Sequence, residues 1–127
     1  MAAAALLAAW AGAHAQAACP LPPTAGARLD ASAVQLAWRS EPTVIPAQQP
    51  FAIVVSVCPA EARLLRVDAT MPEHGHGMNY RASITPQGAG LWRAEGLLWH
   101  MSGRWELGFE VEVGGRTQWL RQSVNLK

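Results

Sequence analysis

Charge is scarce in this chain. Only 15% of its 127 residues are Asp, Glu, Lys or Arg, and the formal net charge is +1. The arginines are scattered and form no basic stripe, so neither nucleic acid nor an anionic membrane surface is an indicated partner. Catalytic patterns are missing as well. There is no Ser or Cys nucleophile motif, no pair of carboxylates and no phosphate-binding glycine loop, and the sequence therefore reads as a non-enzyme. Helical periodicity is absent downstream of the N-terminus, and half of the residues are hydrophobic, enough for a single small core.

Long apolar runs are lacking too. The stretch from Met1 to Ala13 is apolar but too short to cross a bilayer as a helix, and small residues follow it. It has the form of a secretory signal peptide, with cleavage expected after Ala13-His14-Ala15 or after Ala15-Gln16-Ala17, both small-x-small sites. Residues 1–17 are therefore expected to be removed, His14 with them, leaving a periplasmic or otherwise exported protein without a transmembrane segment. Cysteine is limited to two residues, Cys19 and Cys58. In an oxidising compartment an even count most simply forms a disulfide, which would tether a Pro-rich N-terminal arm, residues 18–33, to the end of an early strand.

What the chain does contain is alternation. Val34 to Arg39 reads as a first strand, Phe51 to Cys58 as a near-continuous β-branched strand for the middle of a sandwich, and Leu65 to Met71 as a half-buried strand. Tyr80 to Thr85 and Leu91 to Trp99 form a hairpin around Gly88-Ala89-Gly90. In the next strand Trp105, Leu107, Phe109, Val111 and Val113 share one face, with Glu106, Glu110 and Glu112 on the other. Gly114-Gly115 turns the chain into a last strand, Thr117 to Leu126. Thr24 to Ala33 shows no periodicity and reads as a loop. About seven short strands and no helix predict an all-β fold, an immunoglobulin-like two-sheet antiparallel β-sandwich spanning residues 34–127, with Trp38, Trp92 or Trp99, and Trp105 between the sheets.

Chemistry concentrates in Met71-Pro72-Glu73-His74-Gly75-His76-Gly77-Met78-Asn79 and, later, in His100-Met101. If consecutive strands run antiparallel, both stretches fall at the same end of the sandwich. A hairpin register that sets Thr85 opposite Leu91 would put His76 opposite His100, about 5 Å apart at Cβ. Imidazole with thioether is a soft, neutral ligand set that suits copper, and Glu73 is the only acid nearby. The candidate metal ligands are His74, His76, Met78, His100 and Met101. Met71 ends an apolar alternation and reads as core. The same His-Gly-His could instead be a glycine-rich turn whose imidazoles bond to backbone carbonyls, and then the loops would serve an adaptor in an envelope complex. Metal binding needs neutral imidazoles, so occupancy should fall on acidification.

The stretch from Met71 to Met78, the hairpin through Gly88-Ala89-Gly90-Leu91-Trp92, and Met101-Ser102-Gly103-Arg104-Trp105-Glu106-Leu107 resemble the YtkA-like and FixH-like exported domains. In that family an MP-x-H/M-x-H/G loop precedes a hairpin and an M-x-G-x-W turn opens the next strand. The resemblance runs from Phe51 to Val113. It implies an immunoglobulin-like sandwich on the outer side of the cell membrane, similar in build to CopC-type copper carriers, and a role near copper delivery or haem-copper oxidase assembly. Such a role implies a copper-receiving or envelope protein as partner. Two departures stand out: FixH-like proteins keep a membrane anchor where this chain is expected to carry a cleavable signal, and the N-terminal histidine of the CopC-type site has no evident counterpart here.

Overall fold

Apolar residues at every second position present one greasy face per strand, and a sheet with such a face needs a second sheet to cover it. The computed structural model, which describes residues 21–127, has this arrangement. After a short 3-10 turn at Pro23–Ala25, the described residues form nine strands: β1 Ala27–Asp30, β2 Gln35–Glu41, β3 Phe51–Cys58, β4 Arg63–Met71, β5 His76–Gly77, β6 Ser83–Gly88, β7 Leu91–Leu97, β8 Gly103–Val113 and β9 Arg116–Leu126. One sheet has the order β1-β2-β3-β7-β6 and the other β5-β4-β8-β9, with every pairing antiparallel. The fold is a two-sheet antiparallel β-sandwich. Among the described residues no helix is long and apolar enough to cross a membrane.

The alternation in β8 becomes burial directly. Trp105, Leu107, Phe109 and Val111 are fully buried between the sheets, while Glu106, Glu110 and Glu112 stay partly exposed. Gly108 lies on the outward side, yet it is buried because the indole of Trp119 from β9 lies over it. A Cβ there would meet two ring carbons at 3.1 Å. From the facing sheet, β3 contributes Phe51, Ile53, Val55 and Val57, all buried as expected of a central strand. Trp38, Trp99 and Trp105 fill the space between the sheets, whereas Trp92 is only partly buried against the core.

Three expectations are corrected. The stretch read as a loop contains β1, which pairs with β2 from Ala27↔Trp38 to Asp30↔Gln35. Its alternation rests on Ala27 and Leu29 alone, both packed on the core, too short a pattern to register as periodicity. The hairpin register differs: the strands continue to a two-residue turn at Ala89-Gly90, so Leu91 faces Gly88, and after a bulge between Pro86 and Gly88 Thr85 faces Arg93. The chain also changes sheets after β5, which pairs with β4, before β6 pairs with β7. The hairpin thus does not carry His76 toward His100. The predicted signal peptide, residues 1–17, and Cys19 lie outside the described residues. Cys58 is disulfide-bonded and packs against a small cluster of Leu21, Ala25 and Ala37.

On the outer face of the five-stranded sheet, Arg93 bridges Glu41 and Glu95, and Arg39 also reaches Glu41. Hydrogen bonds from Arg93, then from Arg39, hold the Glu41 carboxyl below the ordinary carboxylate range. A lowered folded-state value means that the stabilisation is present above the ordinary carboxylate value and is lost as pH falls through the lowered one. Glu41→Gln should therefore flatten part of the acid limb of stability. Urea midpoints measured from neutral to strongly acidic pH check this, and identical profiles would mean that the cluster contributes nothing.

Candidate functional site

The two His/Met stretches meet at one end of the sandwich, each fixed by local backbone bonding. Where β4 ends, the carbonyl of Met71 accepts the amides of both His74 and Gly75 at 3.0 Å. Gly75 takes a φ of 67°, a left-handed conformation that glycine adopts without penalty. This tight turn folds β5 back on β4, with His76 opposite Met71 and Gly77 opposite Thr70. The other stretch connects β7 to β8. Trp99 is buried, His100 is half-buried, and Met101 is 37% exposed. A hydrogen bond of 3.0 Å from the Trp105 indole Nε1 to the Met101 carbonyl closes this loop. Arg104, at the start of β8, joins the two stretches by an ion pair with Glu73 at 3.1 Å and also reaches the Ser123 hydroxyl.

Three imidazoles come together as a result. The rings of His74 and His76 stack with centroids 5.7 Å apart, and those of His76 and His100 lie 5.1 Å apart at 36°. His100 in turn meets Trp105 edge to face at 5.6 Å. Trp105 stacks on Trp99 at 5.2 Å, and Trp99 meets Phe51 at 5.3 Å. A continuous run of rings therefore leads from the exposed His74 into the core.

Of the expected ligands, His74, His76 and His100 are brought together, and Met101 is the chain neighbour of His100. Met78 goes elsewhere. Its side chain packs on the core and lines a cleft with Arg66, Asp68, Asn79 and Tyr80. The thioether that faces the site by register is Met71, opposite His76; its methyl would lie 3.0 Å from a Cβ on Gly103. Met71 is also core, at 1% exposure. Trp105 and the Glu73–Arg104 pair are further parts that spacing did not single out. The one signal was the separation of Met101 from Trp105 within the M-x-G-x-W turn.

Imidazole nitrogens bind such ions at about 2 Å, so two rings that share an ion have centroids roughly 5 Å apart. The spacing fits that requirement but the orientation does not yet meet it. Stacked rings set their nitrogens side by side, and among the described residues no group of three or more His, Cys, Asp or Glu side chains is already arranged to hold a metal. His74 and His76 are exposed, and rotamer changes in exposed side chains take only picoseconds to nanoseconds.

No protein-family profile matches this chain. No curated protein matches it either. Among solved structures it is similar to a DUF4426 family protein from Pseudomonas aeruginosa, at a TM-score of 0.49 and 12% identity, covering 79% of this chain and 97% of that one.

The Glu73–Arg104 pair is exposed enough that its loss should cost less than about 1 kcal/mol. Arg104→Ala is therefore expected to leave the urea midpoint nearly unchanged while raising backbone mobility at His74 to His76. Amide relaxation by NMR checks this. Unaltered relaxation would mean that the Met71 carbonyl alone holds the turn.

Proposed function

We propose that the protein is an exported copper carrier, which holds the ion as cargo through His74, His76 and His100, with Met101 as the accessible thioether, and passes it to a copper-receiving envelope protein. Support comes from one observation above all. Two stretches distant in sequence bring three imidazoles to centroid distances of 5.7 and 5.1 Å at one end of the sandwich. Neutral nitrogen and thioether donors favour copper over magnesium or calcium, and their openness to solvent suits an ion that must be handed on. Met78, packed on the core, is left out of this ligand set.

The stacked orientation of the rings supports a second reading, an adaptor without metal whose loops contact an envelope partner through exposed Met101 and Tyr80. Titration separates the two. The purified protein is titrated with Cu(I) under reductant and with Cu(II), next to a variant carrying His76→Ala and His100→Ala. Stoichiometric binding that the variant loses supports the carrier. Binding no tighter than that of a free peptide sinks it and leaves the adaptor.

A further inference from the structure

We infer that Trp105 is a positioning residue for copper capture, presetting His100 and Met101 as the fixed half of a site whose other half, His74 and His76, is free to close. The inference rests on the carrier reading above. Trp105 is fully buried, and burial alone would make it an ordinary core residue. Its polar atom sets it apart from Trp92 and Trp99, and its partner sets it apart from Trp38, whose indole N–H donates to the Gln122 side chain on β9 rather than to a His/Met loop. The buried indole nitrogens of Trp92 and Trp99 have no hydrogen-bond partner, whereas that of Trp105 donates to the Met101 carbonyl. A buried indole N–H that can be left unpaired elsewhere in this core is here committed to the loop that carries two donors.

Geometry extends the point. The Met101 carbonyl orients the peptide that follows Met101, and so influences the direction in which His100 and Met101 leave the backbone. The Trp105 ring meets the His100 ring at 83° and 5.6 Å, which limits the rotation of that imidazole. Trp105 is itself held against Trp99 by a nearly parallel stack, 9° between planes. His74 and His76 have no such anchor in the core and are exposed. Fixing part of a site before the ligand arrives lowers the ordering cost of binding. Groups that orient a metal ligand typically change affinity by about 10- to 100-fold when removed.

The test compares Trp105→Phe, which keeps an aromatic ring and removes the N–H, with Phe109→Leu, a core change on the same strand that leaves the Met101 loop untouched. Cu(I) affinity is measured by competition with a chromogenic chelator, and folding by circular dichroism and urea midpoint. Trp105→Phe is expected to weaken Cu(I) binding about 10- to 100-fold, and Phe109→Leu to leave it unchanged even at equal loss of stability. Equal affinity in wild type and Trp105→Phe would overturn the positioning role while leaving the carrier intact. Absence of binding by the wild type would overturn both. A second measurement needs no variant: on titrating the wild type with Ag(I), a redox-inert stand-in for Cu(I), the Trp105 indole N–H resonance should shift and that of Trp119 should not. A stationary Trp105 signal would also overturn the inference.

Discussion

Trp99→Ala is expected to lower the free energy of unfolding by about 3–5 kcal/mol, the range for truncating a large buried aromatic. The ring is fully buried. Its face lies on Trp105 at 5.2 Å and it meets Phe51 edge-on at 5.3 Å, so both sheets lose a contact at once. The sheets cannot collapse into the gap without breaking strand pairings, and a cavity should persist. Against a total stability of about 5–15 kcal/mol for a typical domain, this is a large fraction. Trp99→Phe should cost much less, since it keeps a ring and removes an indole N–H that is buried without a partner. Urea unfolding of both variants checks the pair. A loss below about 1 kcal/mol for the alanine would mean that the core closes over the missing ring. Because Trp105 rests on Trp99, the alanine variant should also loosen His100.

How far the sequence revealed all this differs from element to element. β8 was legible because burial on one face leaves a period of two, and β3 because a short β-branched apolar run bounded by prolines marks a strand covered on nearly both faces. β1 was not, since two small contacts give no periodicity. The shared end of the two His/Met stretches was legible from strand alternation alone. The reason offered for their meeting, a hairpin pairing of His76 with His100, was not the one the chain uses: β5 belongs to one sheet and β6 to the other. The rings meet instead because a turn on Met71 and a loop on Trp105 converge, aided by Glu73 and Arg104. Met78 misled for a related reason. Closeness along the chain put it with His76, but the path after β5 packs it on the core. The commitment of the Trp105 N–H is a matter of tertiary geometry, which alternation cannot report.

Gly26→Ala should be the most damaging of the small substitutions. Gly26 adopts a φ of 108°, a region that residues with a side chain rarely enter. A Cβ there would sit 1.9 Å from the Trp38 carbonyl oxygen and 2.6 Å from its carbon. That carbonyl belongs to β2, which is paired on both sides, with β1 and with β3, so it cannot yield. The edge strand must move instead. The expected cost is about 2–4 kcal/mol, combining backbone strain with the loss of close strand pairing. It is bounded by the free energy of undocking β1 with the Leu21, Ala25 and Ala37 cluster beside it. Hydrogen exchange distinguishes local from global damage: amides bonded between β1 and β2 should exchange faster, while those between β8 and β9 keep their protection. Uniform loss would mean that the whole sandwich depends on its first strand. Wild-type stability would mean that the chain has another path across Trp38. The imidazoles sit in the turn between β4 and β5, on β5 and in the loop before β8, so under the carrier proposal copper affinity should survive in the folded fraction. Such a variant would lower stability without weakening the site, whereas Trp105→Phe is expected to weaken the site.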